Sequence, residues 1–316
     1  MTFLQQLREF FKQQSPLRRL LWAGIAIGCV LLFVKEPGPE QHRLWQEFWD
    51  LGHLFLFGGV GLFASERYLR QRPWLSLFKL LLGTAFIGWI IEVIQGMTGR
   101  DYSLEDVAAD TLGMALGLAI GGFRALSKPR WGYALLAILL LGGLAVKVKP
   151  TVYSAVDAIA AARQFPVLAD FSGFAPHLQR DRFTSISAWL KVDAGVLEVN
   201  LLPGDFPGFG LDDFPNDWRG WHVLVIDIVN PASAPLAITC RIHDAQHAAR
   251  GNLFADRFNG RFILQPGENR LRIDLQAVEH APAGRLLDMS EVRAPACFTH
   301  HLDRPQTLLL RSMVLE

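Results

Sequence analysis

The sequence predicts a multi-domain protein in which an all-α bundle of five transmembrane helices precedes an all-β antiparallel sandwich of the jelly-roll type. Two observations predict this. Long apolar runs are confined to residues 1–149, while short alternating segments separated by turn signals fill residues 169–316, with 150–168 as a linker. Hydrophobic residues make up 51% of the 316-residue chain, and the formal net charge is +1. The near-neutral charge and the lack of a basic stripe argue against nucleic acid as a partner.

Five apolar runs have the length of about 17–20 residues that crosses a bilayer as a helix. They are Leu17–Val34, Leu51–Leu69, Leu75–Ile94, Val107–Phe123 and Trp131–Val148. Arg18 and Arg19 precede the apolar core of the first run, as in a signal peptide, but no small-residue cleavage site follows that core. It is therefore interpreted as an uncleaved anchor.

Lysine and arginine residues are concentrated on one side of these spans. They occur in the N-terminal tail and in the links after the second and fourth spans, whereas the links at about 35–50 and 95–106 contain few. The positive-inside rule then places the N-terminus in the cytoplasm. An odd number of spans places residues 150–316 in the periplasm or outside the cell. The sequence thus predicts a multi-pass protein of the inner (cytoplasmic) membrane, in contact with membrane lipids.

Three pairs of polar residues, spaced three or four apart, lie at span ends that this topology brings to the outer side. Ionisable groups inside a membrane cost at least a few kcal/mol, so they mark candidate sites. Gly113, Gly117 and Gly121 continue the stripe of the last pair, which predicts that its face looks into the bundle. The pairs are Asp50 with His53, Glu92 with Gln95, and Asp106 with Asp110.

The same residues, with Arg100 between the second and third pairs, resemble the motif of the VanZ-like membrane proteins over about residues 45–125. The position of Asp110 is usually Asn in that family, so the site here is more acidic. The family is linked to glycopeptide resistance and has no established biochemical activity. The resemblance therefore implies a cell-envelope context and no particular reaction.

The polar cluster has three interpretations. A structural cluster would only lock the helix ends together. A catalytic cluster would use all seven residues (Asp50, His53, Glu92, Gln95, Arg100, Asp106 and Asp110) for general acid–base hydrolysis or transfer on a lipid or glycan substrate. A metal site would use His53 with the carboxylates of Glu92, Asp106 and Asp110 as an N/O ligand set for a divalent cation. No other cofactor is evident.

The second half contains six strand-like segments separated by turns rich in Pro, Gly and Asn, which predicts the antiparallel sandwich. Cys240 and Cys297 either form a disulfide in an exported domain or are simply buried thiols. The segments are Gly195–Leu202, Trp221–Val229, Leu236–His243, Gly260–Leu264, Arg270–Leu275 and Gln306–Leu315.

The stretch from Asp217 to Trp221 and the later pair His243-Asp244 loosely resemble jelly-roll carbohydrate-binding and galactose-binding-like modules. That resemblance implies sugar binding through aromatic stacking and polar side chains. The alternative is a structural or protein-docking sandwich, and the alternation of Trp221 with valines suits a core position. The candidate sugar-binding residues are Trp218, Trp221, Phe209, His243, Asp244, Asp256 and Arg257.

Together these observations predict an envelope membrane protein whose polar site acts on or binds a lipid-linked or envelope glycan. Its exported sandwich would bind carbohydrate. The alternative is a non-enzymatic glycan-binding or scaffold protein in which the polar cluster is structural.

Overall fold

The fold comes from a computed structural model, in which two compact units divide between Val152 and Tyr153. The structure describes residues 15–31, 43–69, 73–97, 102–125, 131–172 and 175–316. Arg100 lies outside these described residues, as does the end of the first predicted span.

Five long helices account for the apolar runs of the first half. Four of them, α2 to α5, contain stretches long and apolar enough to cross a membrane, and α1 contains the shorter apolar stretch Arg19–Val30. Helix α5 does not end at the predicted boundary Val148. It continues through Pro150 to Gln164 and is 34 residues long in all. The helices are α1 (Pro16–Leu31), α2 (Arg43–Tyr68), α3 (Pro73–Met97), α4 (Leu104–Ala125) and α5 (Trp131–Gln164).

Helices α2 and α4 approach each other backbone to backbone through the glycine stripe. A Cβ atom added at Gly117 would overlap the carbonyl oxygen of Gly58, and one added at Gly113 would overlap that of Leu54. Conversely, a Cβ added at Gly61 would lie 2.5 Å from the carbonyl oxygen of Met114. The prediction that this stripe faces into the bundle is confirmed, and only glycine allows the approach.

The second half contains eleven described strands in two antiparallel sheets. The first sheet has the order β3-β4-β11-β6-β9, with β1 also paired to β11, and the second has the order β2-β5-β10-β7-β8. Two short helices, α6 (Pro176–Arg180) and α7 (Leu275–Glu279), lie between strands. The strands are β1 (Val167–Ala169), β2 (Phe183–Ile186), β3 (Ala188–Asp193), β4 (Val196–Leu201), β5 (Gly208–Leu211), β6 (Val223–Asn230), β7 (Leu236–Asp244), β8 (Phe258–Leu264), β9 (Gly267–Asp274), β10 (Val292–Phe298) and β11 (Gln306–Leu315).

Strands β4 to β11 form one long antiparallel ribbon that is folded over on itself. Strand β4 pairs with β11, β5 with β10, β6 with β9, and β7 with β8, and successive pairs alternate between the two sheets. This is the strand order of a jelly roll with two Greek keys. The predicted antiparallel sandwich is confirmed.

One continuous core fills the space between the sheets. It takes Leu197 and Val199 from the first sheet and Ile238 and Ile242 from the second, all of them almost completely buried. Cys240 and Cys297 form a disulfide between the neighbouring strands β7 and β10 inside this core. The structure therefore decides between the two alternatives for these cysteines in favour of the disulfide.

A buried ion pair joins the last turns of α5 to the sandwich. The Nε and Nη2 atoms of Arg182 each donate a hydrogen bond of 2.8 Å to the Asp157 carboxylate, and Nη1 donates to the carbonyl oxygen of Leu168 at 3.0 Å. Both charged side chains are at most 4% exposed. Loss of either partner would leave the other charge buried without compensation. The pair therefore fixes the end of α5 against the residue that precedes β2.

We predict that Gly117→Ala destabilises the helical unit, because the added methyl group forces α2 and α4 apart. Gly83→Ala on α3 is the matched control, since no atom lies within 4 Å of a Cβ at that position. Alanine is also preferred to glycine in a helix by about 1 kcal/mol. Thermal unfolding of the full-length protein in detergent, followed by helical circular dichroism, should show a lower melting temperature only for Gly117→Ala. Equal effects of the two substitutions would contradict the close packing.

Candidate functional site

The helical polar cluster is centred on His53. This α2 side chain is buried, and its Nδ1 lies 3.0 Å from Oδ1 of Asp110 on α4. Its Nε2 lies 3.9 Å from Oδ2 of Asp106, one turn earlier on the same helix. A carboxylate on Nδ1 fixes the orientation and tautomer of the imidazole ring and directs Nε2 toward the remaining acids.

Glu92 brings a third helix into the cluster. It is 1% exposed on α3, and its Oε2 accepts a hydrogen bond of 2.8 Å from the backbone N–H of Ser103, just before α4 begins. Each of His53, Glu92 and Asp106 offers one ligand atom, and these atoms lie within 4.8 Å of one another. Gly88 makes room for the group, since a Cβ there would lie 2.7 Å from Oδ2 of Asp110.

The structure therefore brings four of the seven predicted cluster residues together. Gln95 is buried one turn beyond Glu92, and Asp50 is exposed one turn before His53. Arg100 lies outside the described residues. The four that meet could hold a divalent cation or move a proton, because both tasks use a neutral imidazole beside carboxylates.

In the sandwich, the alternation of β7 separates a core face from an outer face. Ile238, Cys240 and Ile242 point into the core. The intervening Thr239, Arg241 and His243 therefore lie on the outer face of the second sheet, because successive side chains point to opposite sides. Two concavities open on this face, one after the other along β7.

The larger concavity is a groove of about 990 Å³ between β7, β8 and the segment after β10. Its polar floor includes Thr239, whose Oγ1 lies 2.9 Å from Nε2 of His300. Phe206 is 51% exposed at the margin, with its ring 5.4 Å from that of His300 and 5.9 Å from that of Phe298. The groove is lined by Leu236, Ala237, Ile238, Thr239, Arg261, Phe262, Ile263, Thr299, His300, His301, Leu302, Asp303, Arg304 and Gln306.

The smaller concavity, which we name the arginine pocket, has a volume of about 380 Å³. Phe254 is 66% exposed beside it, with the Arg257 guanidinium 5.5 Å from the ring centroid. The arginine pocket is lined by Asp212, Arg241, His243, His247, Asn252, Arg257, Arg293 and Ala294.

An ion-pair network around Arg285 supports the wall of the arginine pocket. Its Nη2 donates to Oδ1 of Asp244 at 2.9 Å, and its Nε donates to Oδ1 of Asp256 at 2.7 Å. The second carboxylate oxygen of Asp256 lies 3.3 Å from Nδ1 of His247. The Arg285 guanidinium lowers the pKa of Asp256 to about 2. Both carboxylates are thus ionised, and each forms an ion pair with Arg285.

The candidate sugar-binding residues fall into three groups. Trp218 and Phe209 are 0% and 2% exposed, so neither ring has a face on which a sugar could stack. Trp221 is partly buried and packs edge-on against Phe165 at 5.7 Å. Asp244 and Asp256 belong to the Arg285 network, and His243 and Arg257 line the arginine pocket.

Sequence reasoning missed several residues of the outer face, including Arg241, Arg293 and Phe206. For Arg241 a signal existed, because it alternates with the apolar residues of the predicted strand Leu236–His243. For Arg293 and Phe206 no local pattern is present. The first lies in a strand that contains Pro295, and the second lies in a loop.

No protein-family model and no curated protein matches the chain, so the VanZ-like resemblance gains no support from these comparisons. Among solved structures, the sandwich is similar to a family 11 carbohydrate-binding module from Clostridium thermocellum in complex with a β-1,3-1,4-mixed-linked tetrasaccharide. The identity is 15% and the TM-score 0.34, over 47% of this chain and 93% of the module.

A family 29 carbohydrate-binding module matches at 10% identity and a TM-score of 0.33, over 48% of this chain and 89% of the module. An exo-β-agarase matches at 11% identity and a TM-score of 0.36, over 48% of this chain. The chain covers only 25% of that agarase. The strand order, rather than these low scores, defines the sandwich as a jelly roll.

We predict that protonation of His243 destabilises the sandwich in mild acid. Burial lowers the pKa of His243 to about 4, whereas an unfolded histidine titrates near pH 6.5. Between about pH 6.5 and 4 the unfolded chain therefore binds a proton that the native state does not, and the free energy of unfolding falls as the pH falls. Melting temperatures of the wild type should decline across this window, and His243→Gln should reduce the decline. His280→Gln, at an exposed position, controls for loss of a histidine. An unchanged decline in His243→Gln would contradict the prediction.

Proposed function

We propose that the protein is a membrane-anchored glycan-binding protein of the cell envelope, with the outer face of the second sheet as its binding surface. The observation that carries the proposal is that the groove and the arginine pocket lie one after the other on this face, and that residues of β7 line both. Sugars offer apolar ring faces and many hydroxyl groups. A face that joins exposed phenylalanine rings to hydrogen-bonding side chains matches both.

Two further observations support the placement of this face outside the cytoplasm. Four helices of the first half are long and apolar enough to cross a membrane, and the charge distribution favours a cytoplasmic N-terminus. The Cys240–Cys297 disulfide suits an oxidising compartment such as the periplasm or the cell surface. The proposal therefore has the sandwich hold envelope glycan near the outer surface of the inner membrane.

The test is binding of the full-length protein, in a neutral detergent, to an array of envelope and capsule polysaccharides. Phe206→Ala should weaken binding severalfold, because it removes an exposed ring worth about 0.5–1.5 kcal/mol in an aromatic contact. Trp189→Ala is the control, since Trp189 is 50% exposed on β3 of the first sheet. Failure of the wild type to bind any glycan, or equal losses in both variants, would overturn the proposal.

A second candidate function belongs to the helical cluster, which we propose binds a divalent cation. The observation that favours it is the convergence of His53, Glu92 and Asp106 from three helices, with their ligand atoms within 4.8 Å of one another. Asp110 then acts as the outer partner that orients the imidazole of His53, as carboxylates commonly do for metal-binding histidines. One nitrogen and two carboxylate oxygens suit Zn²⁺ or Mn²⁺.

Metal analysis of the purified full-length protein tests this candidate. We expect a bound divalent ion in the wild type and its loss in His53→Gln. In Asp110→Asn the affinity should fall by about 10–100-fold, because only the orienting carboxylate is changed. Glu105→Gln is the control, since this acid is adjacent to Asp106 but exposed. A metal-free wild type that still binds no added Zn²⁺ or Mn²⁺ would leave the acid–base and structural interpretations of the cluster.

A further inference from the structure

We propose that the arginine pocket binds the acidic group of an anionic glycan, so that the ligand of the outer face is an acidic rather than a neutral polysaccharide. This inference rests on the glycan-binding function proposed above and names its ligand class. The shared chemistry is a carboxylate, sulfate or phosphate group carried by a sugar.

Positive charge converges on the arginine pocket from three separate stretches of chain. Arg241 lies on β7, Arg293 on β10, and Arg257 immediately before β8. The strand register brings them together, since Arg293 is opposite His243 and Arg241 is opposite Ala296 on the same neighbouring strand. Among the lining residues that the structure describes, Asp212 is the one carboxylate.

The charges of the arginine pocket are incompletely compensated. Arg293 donates to Oε2 of Glu291 at 2.6 Å, and, among the residues described, Arg257 donates only to the neutral side chain of Asn259, at 3.0 Å. Within the described part of the chain, the Nε atoms of Arg241 and Arg293 are buried and have no hydrogen-bond partner. A buried donor without an acceptor is unfavourable, and an anion in the pocket would supply acceptors.

The positive charges of Arg241 and Arg257 are also close enough to repel each other. Burial, and after it the charge of Arg241, lowers the pKa of Arg257. Asp212 offsets part of the charge of Arg241, while Asp244 and Asp256 form their ion pairs with Arg285. A ligand anion would supply a counter-charge for Arg257, whose hydrogen-bond acceptor among the described residues is the neutral Asn259.

The surroundings of the pocket favour an acidic sugar over a free anion. Phe254 is 66% exposed and has the guanidinium of Arg257 over one face of its ring, so an apolar surface lies next to the charge. The groove continues along β7 on the same face, where Thr239 occupies the outward position before Arg241. A planar carboxylate can accept two parallel hydrogen bonds from one guanidinium, while the sugar ring rests on the phenylalanine.

Binding of polygalacturonate by the full-length protein, compared with its methyl-esterified form, tests the proposal. The two polymers differ in charge but share the same sugar rings. We expect polygalacturonate to bind at least about tenfold more tightly, because hydrogen bonds to charged groups are the strong ones. Its affinity should fall with added salt. Dextran sulfate and inorganic phosphate distinguish a general glycan-borne anion from a free one.

Each outcome decides a separate point. Equal binding of both forms would overturn the acidic-ligand proposal and leave glycan binding intact. Binding of no polymer here or on the polysaccharide array would overturn both proposals. Inorganic phosphate that binds as tightly as the polymers would make the pocket a free-anion site and overturn the glycan assignment.

Substitutions test whether the arginine pocket causes the preference for polygalacturonate over its methyl ester. Arg241→Gln and Arg257→Gln should each reduce affinity for polygalacturonate at least about tenfold while leaving the methyl ester unaffected. Arg257→Lys keeps the charge but loses the paired donors, so we expect an intermediate loss. Arg311→Gln removes the same charge from β11 of the first sheet and is the control. Melting curves confirm folding, and a folded Arg241→Gln and Arg257→Gln with wild-type affinity would contradict the pocket assignment.

Discussion

The register between β7 and β10 is the constraint on which the sandwich and its candidate site depend. The disulfide joins Cys240 to Cys297 directly across these strands, and both lie in the core. Because side chains alternate, a slip of one residue would carry Arg241 and His243 from the outer face into the core. The same register therefore secures both the packing between the sheets and the arginine pocket on the surface. Arg285 then holds the pocket wall by forming ion pairs with Asp244 and Asp256 at once.

The candidate site of the helical unit also depends on close packing, which here comes from glycines rather than from a disulfide. Glycines remove the side chains between α2 and α4, and this close approach brings His53 within hydrogen-bonding distance of Asp110. Gly88 makes the corresponding space on α3. Charged groups are tolerated in such a place only when they satisfy one another or a ligand. In the sandwich, the apolar residues of the core face determine which polar residues share the outer face. In the helical unit, the glycines at the helix contact determine which polar residues can meet.

Prediction from sequence succeeded where local pattern and burial coincide. The strands with clear alternation, such as Leu236–His243, correspond to observed strands, here β7 at Leu236–Asp244. Strand β10 was missed because Pro295 interrupts it, although the structure accommodates the proline at an irregularity between Arg293 and Ala296. Strand β5 was missed because half of it is glycine. Aromatic residues occur both in cores and on binding surfaces, so local sequence does not distinguish the buried Trp218 from a sugar-binding tryptophan.

The sequence by itself determined the division into an apolar helical half and an alternating β half, because the spacing of hydrophobic residues indicates which type of secondary structure buries them. It also determined that the glycine stripe of α4 faces another helix. The charge distribution predicted that the three polar pairs share one side of the membrane, but only the tertiary structure decided which polar side chains contact one another. His53 and Asp110 are 57 positions apart, and Arg285 and Asp244 are 41 positions apart. Such pairings arise from strand order and helix packing, and no local pattern encodes them. For the same reason the outer face of the second sheet became a candidate site only once the jelly roll was folded.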